Sequence, residues 1–304
     1  MKILSIYRFA ITVTVLVCTL LFFSCKKESS NSAAATTETV TEEQAATYSE
    51  ESANAEASFD DLEDVSMTAA DEEGVASAGR AQGEVAGRIY PFAALRLRIG
   101  MCADITVTPN DSTYPKTVTI DFGDGCWGPD GKHRKGAIIL HFTGPLRRPG
   151  SVLTITLRDF YLNRAHIEGT KVISNLGENG DIKFTVQVVG GKVTLPNGRG
   201  YAYNSMKYVK QIEGGATNEV RDDVYSIEGR SSTEFNGGLT INFNTESPLI
   251  KKVACPWISK GVLKIKINSR VLFLDYGVTN DGSCDSKALL TWNNGANQRI
   301  IILP

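Results

Sequence analysis

The 304-residue chain has only three histidines, ten prolines and three tryptophans, and its one long apolar run lies at the extreme N-terminus. His133, His141 and His166 stand apart, with no cysteine or glutamate at ligand spacing, which argues against a metal centre. No Gly-x-Ser-x-Gly elbow and no phosphate-cradling glycine loop opening a helix occurs. After Gly87 no segment of helical length carries a clean 3.6-residue periodicity. Parallel βαβ crossovers, and with them the nucleotide-binding α/β folds, are thereby disfavoured. No dense basic run exists beyond His133-Arg134-Lys135, so no nucleic-acid partner is expected, and nothing points to a cofactor.

What is present begins with a leader. Lys2 and Arg8 precede an apolar run from Ala10 to Phe23 that ends at Ser24-Cys25. A charged start, a short apolar middle and a small residue before the cut form an export signal, and the run is too short to span a bilayer comfortably. Cys18 is the poorer anchor because bulky Val17 precedes it. Leu21-Phe22-Phe23-Ser24-Cys25 resembles a lipobox, which implies that Cys25 carries a diacylglyceryl group and becomes the mature N-terminus. Several acyl chains, each buried methylene contributing about 0.8 kcal/mol, make such an anchor stable. The Cys25-Lys26-Lys27-Glu28 start and the Ser- and Ala-rich sequence after it resemble lipoproteins of the Bacteroidota, and Gly87 to Pro304 is similar to a cell-envelope lipoprotein family of that group. The resemblance implies an outer-membrane location and brings no activity with it. An acidic stretch after the cysteine is linked with outward display in that group; the adjacent residues here are basic, so the face of the membrane stays open.

Three regions follow: a signal peptide over 1–24, a tether over 25–86 and a single domain over 87–304. Between Met1 and Ala86 there are 15 acidic and 5 basic residues, against 19 and 27 from Gly87 on. From Glu28 to Ala86 the chain is rich in Ala, Ser, Thr and Glu and reads as a disordered tether with a reach of about 45 Å. Phe59, Leu62, Val65 and Met67 fall near helical spacing, enough for one short helix within Ser58 to Met67. The domain's basic excess reads as lysines and arginines scattered over solvated strand faces.

Period-2 alternation dominates the domain. Ile182, Phe184, Val186 and Val188 share a face, as do Val118-Ile120-Phe122, Leu239-Ile241-Phe243 and Leu263-Ile265-Ile267. Turn residues such as Gly190-Gly191, Asn197-Gly198, Asn236-Gly237 and Asn293-Asn294-Gly295 separate the runs. The fold expected is an all-β antiparallel meander of about a dozen strands, as a curved sheet or sandwich rather than a membrane-spanning barrel.

Four cysteines remain in the domain: Cys102, Cys126, Cys255 and Cys284. An even number in an exported chain favours disulfides, and two stretches echo each other. Each reads cysteine, strand, Asp-aromatic-Gly (Asp121-Phe122-Gly123; Asp275-Tyr276-Gly277), turn, cysteine, strand. Equivalent geometry predicts Cys102 with Cys126 and Cys255 with Cys284, whereas a four-cysteine zinc site would need closely spaced ligand pairs that are absent. Trp127 and Trp257 adjoin these cysteines and are expected to pack over the disulfides.

Other motifs carry less. Asp121-Phe122-Gly123-Asp124-Gly125 is similar to the signature of PKD-type sandwich modules, but Ile120 stands in the place of their tryptophan. Asp121, Asp124 and Asp130 offer oxygens for Ca²⁺ at a spacing that fits no loop, so they read as turn carboxylates. Asp222-Asp223 and the Ile-Glu-Gly repeats at Ile167, Ile212 and Ile227 are raw material for a carboxylate pair, and Tyr201 and Tyr203 beside Lys207 read as core filling. No catalytic residue is assigned. The leading expectation is a non-enzymatic envelope lipoprotein whose domain binds a glycan, peptide or envelope protein. The alternatives are a polysaccharide-acting enzyme marked by two carboxylates about 5 to 9.5 Å apart, and an acyl-chain carrier marked by an apolar cavity open to solvent. Metabolic labelling with palmitate is expected to mark the chain, and Cys25→Ser to abolish the label.

Overall fold

A computed structural model describes residues 40–80, 92–178, 181–215, 222–277 and 284–303, with side chains omitted over 74–80. The leader, Cys25 and the first residues of the expected tether lie outside the described residues.

Among the described residues the alternating runs form fourteen strands: β1 (Asp104–Thr108), β2 (Lys116–Asp121), β3 (Cys126–Trp127), β4 (His133–Phe142), β5 (Val152–Leu162), β6 (Ala165–Asn175), β7 (Lys183–Thr194), β8 (Gly200–Glu213), β9 (Val224–Phe235), β10 (Thr240–Lys252), β11 (Ile258–Ile267), β12 (Arg270–Asp275), β13 (Lys287–Trp292) and β14 (Asn297–Ile302). Apart from short β3, which pairs with β4 alone, each strand lies antiparallel between its neighbours in sequence. The expected meander is therefore present as one sheet. Among the described residues β1 and β14 are its two edges and it does not close. The predicted faces hold: Val118, Ile120, Phe184, Val186, Ile241, Phe243, Ile265 and Ile267 are all buried.

The face they share does not meet a second sheet. It wraps a helix, α1 (Glu42–Arg80), with a second short helix, α2 (Ala93–Ile99), beside it. The expectation of a disordered tether thus fails over Glu42–Arg80, and the compact unit begins at Thr41 rather than at Gly87. At 39 residues α1 is about 58 Å long. Thr41 and Gln44 open it with a reciprocal cap: Gln44 N donates to Thr41 Oγ1 (3.2 Å) and Thr41 N to Gln44 Oε1 (2.8 Å). Neither α1 nor α2 is long and apolar enough to cross a membrane.

Hydrophobic patterning alone does not explain why α1 is buried. A seam at three- and four-residue spacing faces the sheet: Ala45, Ser49, Ser52, Glu56, Phe59, Leu62, Ser66, Ala70 and Glu73. Only Phe59 and Leu62 in it are large and apolar, each contributing about 1.5 to 3 kcal/mol on burial. Phe59 stacks on Tyr203 with ring centroids 4.7 Å apart. It lies over Gly191, where a Cβ would sit 3.0 Å from the Phe59 ring.

Charge matching specifies where the helix docks. Between Glu42 and Arg80 there are twelve acidic residues and one basic one, a helix that repels itself in isolation. Every one of the twelve has a partner. Glu72 receives the backbone N–H groups of Ala94 and Leu95 at the start of α2 (3.1 and 3.0 Å). The other eleven form ion pairs with cations of the sheet, the loops and α2, running from Arg270 and Arg299 at one end of the helix to Lys116 and Arg147 at the other. Because β2 and β14, the second strand and the last, both reach the same helix, the sheet is curled around it.

Asp61 is the centre of this array. Arg134 donates to it through Nη2 (2.8 and 2.9 Å) and Nε (3.2 Å), and Lys132 Nζ adds a fourth bond (3.1 Å). Burial pushes the Asp61 carboxyl up, but Arg134, Lys132 and Arg98 outweigh it and hold the group below the ordinary carboxylate range. Asp60 is likewise held down against its burial by Lys207 and Lys171. A lowered folded pKa contributes stability that is present above the unfolded value of 3.8 and is lost as pH falls through the folded one. Acid unfolding is therefore expected to set in below about pH 4 in denaturant titrations. Asp61→Ala removes the carboxylate of buried Lys132 and leaves buried Arg134 with Asp130 alone, and is expected to cost about 3 kcal/mol at pH 7, read from the urea midpoint.

Candidate binding cleft

Helix α1 fills the inner face of the sheet unevenly. Between its C-terminal half and strands β6 to β10 an open cleft of about 670 Å³ remains. Its wall is apolar: Ile173 of β6, Phe184 and Val186 of β7, Val209 of β8, and Ile227 of β9. Met67 of α1 and Leu97 of α2 face them across the opening. Phe184 and Val186 occupy the inward phase predicted for them; all five wall residues are themselves buried, and the opening lies where α1 presents Met67, Thr68 and Asp71 instead of larger apolar groups.

The charged residues around the cleft are compensated. Asp64 pairs with Arg98 (2.8 Å) and Lys251 (2.7 Å), Glu63 with Lys171 (2.6 Å), and Asp130 with Arg134 (2.7 Å). The cleft therefore offers apolar surface with polar groups confined to settled pairs.

The two disulfides pair Cys102 with Cys126 (Cα–Cα 5.8 Å) and Cys255 with Cys284 (5.5 Å). Both staple a lip of the cleft. Cys126 Sγ lies 3.6 Å from the carbonyl of Ile99, fixing the end of α2, and Cys255 sits between Ala254 and Pro256, which line the opposite rim. The tryptophan expected over the first disulfide is not there: Trp127 is 68% exposed and rests against His133, 5.1 Å between centroids.

At one end of the cleft two carboxylates meet. Arg147 donates through Nε to Asp71 Oδ1 (3.1 Å) and through Nη2 to Asp223 Oδ2 (2.7 Å). Asp223 also accepts from Gln211 Nε2 (2.5 Å) and from the Tyr225 hydroxyl (3.1 Å). The guanidinium occupies the space between the carboxylates that a scissile bond would need, and Asp223 is held by three donors, so the arrangement is an ion-pair clamp rather than a hydrolytic pair. Burial raises the Asp71 carboxyl above its ordinary value; Arg147 pulls it down, and Asp223 and Glu72 push it up again.

The remaining sequence candidates are dispersed. Asp121 pairs with Arg158 and Asp130 with Arg134, so they do not converge with Asp124 on a cation. Among the described residues no group of three or more His, Cys, Asp or Glu is arranged to hold a metal. Tyr201 and Tyr203 fill the core, as expected. Sequence reasoning missed Met67, Leu97 and Val209 as cleft residues and Arg147 as the cation between Asp71 and Asp223. The one available signal was Lys116, Lys171 and Lys207 at inward positions in phase with Val118, Ile173 and Val209, a pattern that demands anions inside the sheet.

Compared with known protein families, with curated proteins and with solved structures, the chain matches none.

Arg147→Ala would leave Asp71 and Asp223 facing each other. Asp71, already raised, would rise further, so its contribution to folding falls as pH climbs through that value. The variant is expected to lose about 2 kcal/mol at pH 7, less than a wholly buried pair because the Arg147 side chain is 41% exposed, and clearly less at pH 5. Urea titrations at the two pH values check it.

Proposed function

We propose that this chain is an exported, outer-membrane lipoprotein anchored through Cys25, and that its β domain is a non-enzymatic binder of an amphipathic ligand whose apolar part enters the cleft between α1 and β6–β10. The observation that carries the reading is the cleft itself: about 670 Å³, open to solvent, walled by aliphatic and aromatic side chains, with its charges already paired. That volume falls within the range of small-ligand sites. A compensated rim leaves no buried charge to attract an ionic group, so the contribution to binding comes from apolar burial, about 25 cal/mol per Å². The leader pattern ending at Ser24-Cys25 supports the anchor, and the disulfides suit an oxidising compartment.

The ordered helix changes what the anchor implies. Glu42 follows Cys25 by 17 residues, so the leash from lipid to domain is at most about 60 Å even fully extended. A ligand drawn from the anchoring membrane is within that reach.

The test uses the exported chain carrying Cys25→Ser, titrated with palmitate against 1-anilinonaphthalene-8-sulfonate as a competing fluorophore and followed by thermal denaturation. Saturable displacement at one site is expected, with a stabilisation of about 2.7 kcal/mol when free ligand reaches a hundredfold Kd. Met67→Trp, at a half-buried position across from the apolar wall, is expected to weaken binding at least tenfold with the circular dichroism spectrum unchanged. Absence of any ligand-dependent shift would dismiss the reading.

A further inference from the structure

The two edges of the sheet are not alike. β1 begins with Asp104 and is followed at once by Pro109, the charge and proline that keep an edge from recruiting another strand. β14 has no outward-facing charge, and its proline, Pro304, comes only after Leu303. Its only charged residue, Arg299, points inward to Glu43 and Glu50 of α1, leaving Gln298, Ile300 and Ile302 on the outer face. Ile300 is 54% and Ile302 56% exposed. Leu289 lies directly across from Ile300 on β13, and Val271, also exposed, stands on the outer face of β12. Among the described residues this edge has no outward charge and no bulge, and it exposes main-chain donors and acceptors together with apolar side chains that gain from being covered.

We propose that β14 is the interface for a second copy of this chain, pairing antiparallel with its counterpart about a twofold axis so that the sheet runs on from one protomer into the next. Such an interface is self-complementary by construction. With the axis at Ile301, Ile300 of each copy stands opposite Ile302 of the other, and Arg299 meets Leu303 rather than another Arg299. No like charges oppose each other in that register, and the outer isoleucines form two cross-strand apolar pairs. A partner strand of a different protein would need its own matching edge; the identical strand already has one. The inference does not depend on the cleft or its ligand.

Sedimentation velocity of the exported chain carrying Cys25→Ser, over about 1 to 100 μM, is the test. A concentration-dependent dimer is expected. Ile300→Lys together with Ile302→Lys would set ammonium groups opposite each other across the axis, and is expected to raise the dimer Kd at least a hundredfold while the far-ultraviolet dichroism and palmitate binding are kept. Val189→Lys, exposed on the outer face of β7 away from the edge, is expected to leave the dimer intact and controls for added charge. A monomer at every concentration overturns the proposal, as does a dimer that survives the double substitution. Failure of palmitate binding with the dimer retained would count against the cleft reading alone.

Discussion

The architecture depends on charge matching between an acidic helix and the cationic inner face of a sheet. Neither part makes sense without the other. The helix carries twelve carboxylates on and around a buried seam made mostly of alanine, serine and glutamate, and the sheet turns Lys116, Arg134, Lys171 and Lys207 into what would otherwise be an apolar interior. A lone charge in that interior would cost several kcal/mol, so the pairs do not add much net stability; what they exclude is every arrangement that leaves one of them unmatched. The fourfold-bonded Asp61 fixes the helix along its axis, while Glu56, Asp60 and Glu63 with Lys207 and Lys171 fix its rotation. Specificity of docking is the natural role of such an array, with Phe59 and Leu62 supplying the apolar contact.

Most of the sheet was legible because strand burial is periodic. Val118 to Phe122 and Leu263 to Ile267 alternate, and the glycine and asparagine turns mark where the chain reverses. The cysteine pairing followed from two stretches with the same order of strand, Asp-aromatic-Gly and turn. The helix was not legible because its buried seam is built from residues that hydropathy scores as small or hydrophilic. Phe59, Leu62 and Val65 gave a correct hint of helical spacing, but a helix read by apolar residues alone ends where they end, whereas this one continues through Ser49 and Glu73 on ion pairs. The asymmetry of 15 acids against 5 bases before Gly87, and 19 against 27 after it, was visible. Its meaning, that one part neutralises the other, required knowing that the inward-phase lysines had no solvent to face.

The cleft could not have been read from sequence for a different reason. It is a shortfall in packing between elements up to about 190 residues apart, from Glu63 to Pro256, and a shortfall has no motif. Its lips were accessible to reasoning only through the cysteines. Each disulfide ties down a loop bordering the opening, so the covalent framework is concentrated where the noncovalent core is thinnest. A gap between a docked helix and a sheet tends to collapse or fluctuate, and cross-links at its borders hold the borders apart.

The helix that comes first in the folded unit is completed by the strand that comes last. Glu43 and Glu50 meet Arg299, some 250 positions downstream. A chain synthesised from its N-terminus therefore carries its acidic segment unsatisfied until β14 has been made. Native structure is reached late and all together rather than piece by piece. Loss of β14 would consequently be felt at the opposite end of the folded unit, as fraying of the helix start around Glu43 and Glu50, which would open that start to proteases.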